Sequence, residues 1–387
     1  MKKTLCLVAA FVMAIACLAG CSGGNGGTTT DGEKTLIIGG SGPLTGDYAT
    51  YGTSVKNGAQ IAVDEINEAG GVNGYKFELK MEDDQAAPDA AVNAYNTLMD
   101  AGMNVSLGAV TSGACIALNE ESAKDGILSL TPSGSQVECV QHDNAFRVCF
   151  NDPAQGTYSA DFISDNKLAT KVAILYDKSN DYSVGIHDTF TAEAEKKGLE
   201  IVTDQAFTDQ SNTDFSAQLQ AVKSSGADLL FLPIYAQEAA YILTQADSAG
   251  IKDVTFFGVD GMDGILEKIG EDNLKLTEGV MLLTPFSASS TDEKVQNFVK
   301  KYQEQFEATP DQFAADAYDA IYTIKAALEK SGAQTTDSDF NEKMIAAMTE
   351  IEIDGVTGHM TWDAAGEPTK EAMAVVIKDG AYELYNK

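Results

Sequence analysis

The residues that could do chemistry are few, and most of them fail on spacing. Gly39-Gly40-Ser41-Gly42-Pro43-Leu44-Thr45-Gly46 is rich enough in glycine to cradle a phosphate. Its spacing is not GxGxxG, however, and Pro43 removes one of the amides a phosphate needs. GxxxxGKS and GxxxxGKT do not occur, so ATP hydrolysis would have to come from another subunit. GxSxG and HExxH do not occur either. Gly258-Val259-Asp260-Gly261-Met262-Asp263-Gly264 carries acids, but not at the spacing of a calcium loop. Asp83-Asp84 follows a strand end and suits a solvated or capping pair better than a general acid and base. The histidines, His142, His187 and His359, are scattered, and no CxxC accompanies them. A metal site from such ligands is not expected, no cofactor is expected, and no catalytic set emerges.

One cysteine has a clear chemical role. Lys2 and Lys3 precede a run from Leu5 to Ala19 that is apolar apart from small side chains. That run is short for a membrane span, which takes roughly 20 residues, and suits a secretory leader. Leu18-Ala19-Gly20-Cys21 then resembles a bacterial lipobox, in which the Cys21 thiol takes the lipid and becomes the first mature residue. A single acyl chain holds a membrane only marginally, so several chains on Cys21 are expected. Residues 22–34 (SGGNGGTTTDGEK) form a coil-like tether. Cys115, Cys139 and Cys149 remain. Three thiols allow at most one internal disulfide: Cys139 with Cys149 could close a short surface loop, or Cys115 could partner either.

The elements around these residues come next. A mature chain of about 367 residues suits two domains rather than one core. The net charge is −32, or −34 once Lys2 and Lys3 leave with the leader, which argues against a nucleic-acid partner. From Thr35 onward, short β-branched runs alternate with stretches of 3.6-residue periodicity. Thr35–Gly40, Tyr75–Met81, Val105–Val110 and Ile127–Leu130 read as strands, with helices over Ser54–Ala69 and Pro88–Ala101. The scheme restarts after Asn151-Asp152-Pro153, with strands at Lys171–Tyr176, Leu229–Ile234 and Val254–Gly258. Helices there begin near Tyr182, Thr213 and Ala236. Two runs of βαβ units predict an α/β protein of two doubly wound, parallel-sheet lobes, with ligands beyond the carboxyl ends of the strands.

Several blocks, in order, carry a resemblance. Ser41–Gly46 with Tyr51-Gly52, Ala62–Gly74, Gly108–Ser112, Thr131-Pro132-Ser133, Phe146-Arg147, Asp152 with Gln155-Gly156, Val172–Asp177, Tyr182 and Thr361-Trp362-Asp363 are similar to the branched-chain amino acid binding proteins of ABC importers. The resemblance spans nearly the whole mature chain. It implies a type I periplasmic-binding fold whose two lobes are joined by three hinge strands. Crossings are expected near Asn151, Pro285 and Met360-Thr361. They place residues 35–151 with 286–360 in the N-terminal lobe, and 152–285 with 361–387 in the C-terminal lobe.

The family's ligand residues carry over position by position. The resemblance implies that the Ser112 amide and hydroxyl receive a ligand carboxylate, and that Ser135, usually a threonine, offers a second hydroxyl. The Ser133 carbonyl would accept from the ligand ammonium. Asp260, where relatives have glutamate, would neutralise that ammonium, and Tyr51, Tyr182 and Tyr235 would line the side-chain pocket. With no lysine or arginine at these positions, an acidic ligand side chain would be buried without a partner. An aliphatic or small neutral amino acid is therefore expected, handed by a monomeric protein to a permease and its ATPases. Amides, urea-like compounds and aromatic acids are the rival ligands, and a sensor module presenting its ligand to a receptor is the rival role.

Overall fold

The computed structural model describes residues 34–385. Cys21, its leader and its tether lie outside the described residues. The first sheet contains β1 (Lys34–Gly42), β2 (Tyr75–Asp83), β3 (Val105–Ala109), β4 (Ser129–Thr131) and β5 (Ala145–Arg147), all parallel, in the order β2-β1-β3-β4-β5. Its crossover helices are α1 (Ala49–Glu68), α2 (Pro88–Asp100) and α3 (Ser112–Asp125). α1 starts five residues before the predicted Ser54, because the turn Gly46–Tyr48 already leads into helix. Proline opens α2, where its missing N–H costs nothing.

After Asn151 the chain builds a second sheet. α4 (Asp152–Asp165), β6 (Lys171–Asp177), α5 (Asp181–Lys197), β7 (Glu200–Phe207), α6 (Ser216–Ser225), β8 (Leu229–Leu232), α7 (Ala236–Ser248), β9 (Thr255–Gly258), the short α8 (Ile265–Lys268) and β10 (Met281–Thr284) follow in turn. α9 (Glu293–Phe306), α10 (Gln312–Ser331), α11 (Phe340–Met348) and the hairpin β11 (Glu352–Gly355) and β12 (Gly358–Thr361) then come before β13 (Met373–Lys378) and β14 (Ala381–Leu384). The second sheet runs β14-β13-β10-β9-β8-β6-β7. It is parallel from β7 to β10, but β13 and β14 add an antiparallel edge that the alternating pattern did not foretell. A tight turn at Asp379-Gly380, both at positive φ, makes that hairpin.

α10 returns to the first lobe and lies along α1. Gly58 permits this, since a Cβ there would stand 1.9 Å from the Ala314 carbonyl oxygen. One expected boundary moves. The third passage between sheets is not at Met360-Thr361, because the next ten residues stay on the first lobe. Trp362 Nε1 donates to the Arg147 carbonyl (2.7 Å), Arg147 N donates to Gly366 O (3.1 Å), and Lys370 Nζ meets Asp316 Oδ1 of α10 (2.9 Å). The passage therefore falls between Lys370 and Met373.

Candidate functional site

In each sheet the strand order reverses once, between β1 and β3 in the first and between β6 and β8 in the second. Crevices form at the carboxyl ends of strands at such reversals. From the first sheet, the loop after β3 brings Val110 and Thr111 with Ser112 at the head of α3, and the loop after β4 brings Ser133 and Ser135. From the second, α5 after β6 brings Tyr182, the loop after β8 brings Tyr235, and the loop after β9 brings Asp260. All of these, with Tyr51 of α1, Gly261 and Phe313 of α10, surround one small cavity. The seven residues named from the sequence as ligand contacts thus come together. Val110, Thr111, Gly261 and Phe313 were not foreseen. Thr111 could have been noticed beside Ser112, whereas Phe313 follows a long excursion and has no motif.

The two ends of the cavity differ in chemistry. At one end the hydroxyls of Thr111 and Ser135 are buried and have no hydrogen-bond partner. Ser112 Oγ accepts from Gln136 N (3.3 Å), and Ser112 begins a helix whose N-terminus favours an anion. Ser133 uses its own hydroxyl to donate to Val110 O (2.7 Å). At the other end Asp260 is 3% exposed. Tyr182 Oη donates to Asp260 Oδ1 at 2.5 Å and accepts from Gly261 N at 2.8 Å. Asp260 N donates to Gln155 Oε1 (3.2 Å). Burial pushes the Asp260 carboxyl up to about 7, and the Asp316 charge adds to this, while the Tyr182, Gly261 and Gln155 contacts oppose it. Neither lysine nor arginine lines the cavity.

Aromatic rings form the walls. Tyr182 and Tyr235 stack at 5.0 Å with planes 9° apart, and Tyr51 leans on Phe313 at 4.6 Å. The tyrosines do more than line a pocket. Tyr51 Oη donates to Gly261 O (2.5 Å) and accepts from Ala236 N (2.8 Å), so it ties α1 to the second lobe. Tyr48 adds a bond to Glu238 Oε1 (2.8 Å), and Lys268 Nζ reaches the Asp47 carbonyl. These bonds hold the cleft shut around a cavity of about 10 Å³, room for about one water. A solute larger than a water molecule can enter only when the lobes part.

Larger hollows exist. One of about 460 Å³ lies between Asp263, Phe286, Pro310 and Tyr382. Its acids, the buried Asp263 and the half-buried Asp311, are already satisfied by Gln312 N, Ser54 Oγ and Ala314 N, and none of its lining hydroxyls is buried without a partner. The cysteines correct one expectation. Cys139 and Cys149 close no surface loop, because Cys115, Cys139 and Cys149 are all buried and free. Among the described residues no cluster of histidine, cysteine and acids is arranged to hold a metal ion.

The model of the periplasmic binding protein family matches residues 35–381. A curated relative, Leu/Ile/Val-binding protein homolog 3 of Brucella melitensis, is 30% identical over 334 residues, covering 86% of this chain and 88% of its own. The chain belongs to the branched-chain amino acid binding protein family. Among solved structures, the branched-chain amino acid transporter substrate-binding protein LivJ of Streptococcus pneumoniae, in complex with isoleucine, superposes with a TM-score of 0.82. It is 29% identical and covers 91% of this chain and 99% of its own. The leucine-binding protein LivK of Thermotoga maritima gives a TM-score of 0.81 at 26% identity, with coverages of 91% and 98%. The fold is accordingly that of the type I periplasmic-binding proteins, a family of solute-binding proteins that work outside the cytoplasm.

Proposed function

We propose that this protein is an extracytoplasmic, lipid-anchored solute receptor that captures an aliphatic amino acid, of the branched-chain type, between its two lobes. It then presents the closed form to an ABC importer. The observation that carries this reading is the polarity of the cavity. Unpaired hydroxyls and a helix N-terminus stand at one end, a single buried acid stands at the other, and aromatic walls without a countercharge lie between. That arrangement complements a zwitterion with an apolar side chain, and an acidic side chain would be buried there without a partner. Relatives whose names refer to leucine, isoleucine and valine support the same class. Ligand contacts to both lobes would favour the closed state over the open one. Anchoring through Cys21, action as a monomer and delivery to a separate permease and ATPase belong to the same proposal.

Calorimetry of the protein lacking its leader, titrated with each of the twenty amino acids, tests it. Leucine, isoleucine or valine is expected to bind most tightly. Heat from none of the twenty, with binding of a urea-like compound or an aromatic acid instead, would overturn the amino-acid assignment. For the anchor, Cys21→Ala is expected to move the protein from the membrane fraction to the soluble one.

A further inference from the structure

Two of the three buried thiols meet on one face of α3. Cys115 and Cys139 are both fully buried and free. Cys115 lies one turn along α3 from Ser112, and Asn119 one turn beyond it, so the three share a face. The short turn Val137–Val140 packs on that face. Cys139 Sγ donates to Ser112 O (3.7 Å), and Asn119 Nδ2 donates both to Cys139 O (2.7 Å) and to Cys115 Sγ (3.5 Å). Ser129 Oγ donates to Asn119 Oδ1 (2.6 Å), which fixes that amide. Cys139 is thus held over the stretch of helix from which Cys115 projects, and the two thiols are in side-chain contact.

The surroundings suit exchange chemistry at this pair. The Cys139 thiol holds Cys115 below the ordinary thiol value, and the Arg147 guanidinium favours the thiolate of both. Burial pushes Cys139 up, so Cys115 ionises first. A thiolate is the attacking species in thiol–disulfide exchange. Gly134 leaves the sulfur its space, since a Cβ there would stand 2.8 Å from Cys115 Sγ. Disulfides form and persist in compartments outside the cytoplasm, where the family works.

We propose that Cys115 and Cys139 are a disulfide site, oxidised outside the cytoplasm by a small-molecule disulfide or a disulfide-bearing oxidoreductase, with Cys149 left as the free thiol. The Cys115 thiolate attacks one sulfur of the oxidant, forming a mixed disulfide and expelling a thiolate. The Cys139 thiolate then attacks Cys115 Sγ and expels the second. The two protein thiols lose two protons and two electrons, and the oxidant's disulfide takes them up as two thiols. The new bond staples the turn Val137–Val140 to α3. Gln136 N, at the head of that turn, donates to Ser112 Oγ (3.3 Å), so the staple also steadies the helix start that faces the cavity. The proposal rests on the extracytoplasmic location and not on which solute is bound.

The protein without residues 1–21 keeps only these three cysteines. Refolding it in excess oxidised glutathione gives the reagent access to every thiol. Free thiols are then blocked and the protein is read by mass spectrometry. A bridged form about 2 Da lighter than the reduced one is expected, with a peptide pair joining Cys115 to Cys139 and the block on Cys149. Cys149→Ser should keep the bridge, and Cys139→Ser should lose it. Closing the loop from 115 to 139 is expected to raise the melting temperature by about 5 °C over the reduced form. Three blocked thiols, glutathione adducts in place of the bridge, or a bridge to Cys149 would each overturn the proposal, and equal melting temperatures would overturn the staple. None of these readouts involves leucine, so a failure of the transport reading leaves them standing.

Discussion

The hydroxyl of Tyr182 donates to Oδ1 of Asp260 at 2.5 Å, and the tyrosine oxygen accepts from the amide of Gly261 at 2.8 Å. The tyrosine is therefore the hydrogen-bond support of the only acid lining the cavity, as well as part of its wall. A hydrogen bond donated to a carboxylate favours its charged form, which is the form an ammonium needs.

Removing that hydroxyl should weaken binding without unfolding the lobe. In Tyr182→Phe the ring still stacks on Tyr235, but Asp260 loses a donor and Gly261 N loses its acceptor. Hydrogen bonds to charged groups contribute about 1.5–3 kcal/mol, so leucine affinity is expected to fall by at least about tenfold. Calorimetry beside a thermal melt checks this; an unchanged affinity would mean the Tyr182–Asp260 bond has no part in recognition.

Protonation of Asp260 gives two opposite pH trends. Its folded-state value of about 7 lies above the ordinary aspartate value of 3.8. The folded protein therefore binds more protons than the unfolded chain between those values, and stability falls as pH rises through that window. Asp263 and Asp316, each raised to about 6 by burial, push the same way. Ligand binding should follow the reverse trend, because an ammonium favours the carboxylate. The ligand-free protein is expected to melt higher at pH 5 than at pH 8, whereas leucine affinity is expected to rise over that interval. Melting curves and titrations at both pH values read the two trends, and Asp260→Asn should flatten the second.

Gly261 tests how closely the acid site is packed. A Cβ at this position would lie 2.5 Å from Tyr182 Oη and 3.0 Å from Ile234 O. Gly261→Ala must displace the tyrosine from Asp260, since the carbonyl belongs to the backbone. Leucine affinity is expected to drop by about an order of magnitude or more, from losing one charge-assisted bond, and a crystal structure should show the Tyr182 ring shifted. Affinity equal to that of the unaltered protein would contradict this packing argument.

How much of this was legible in the sequence follows from the range of the interactions. Parallel strands and their helices are local patterns, so β1, β2, β6 and α2 lay close to where periodicity put them. The family motifs carried Ser112, Ser133, Ser135, Asp260 and the three tyrosines to a common cavity. Phe313 and the passage after Lys370 could not be read that way. Their positions depend on contacts across the fold, such as Phe313 with Tyr51 and Trp362 with Arg147, between residues separated by more than two hundred positions. The buried thiols were misjudged for a similar reason: Cys139 falls in a loop by local pattern, yet the short turn Val137–Val140 packs beneath α3.

The Lys370–Asp316 pair offers a test of the third passage. Both side chains are almost fully buried, at 2% and 1% exposure, with Nζ and Oδ1 2.9 Å apart. Lys370 Nζ also donates to Thr357 Oγ1 at 2.5 Å, and Asp319 fastens the same hairpin through Val356 N and Thr357 N, each at 2.9 Å. This network pins the end of the segment that crosses to β13. Breaking a buried pair by removing one partner leaves an uncompensated charge and costs about 3–5 kcal/mol. Lys370→Met should therefore lower stability by that amount in denaturant unfolding, while Lys370→Met with Asp316→Leu should recover most of it by removing the stranded acid. If the single variant is as stable as the parent, this pair does not anchor the crossing. If the double variant regains stability but binds leucine more weakly, the anchor also tunes closure, because the segment it holds joins the two lobes.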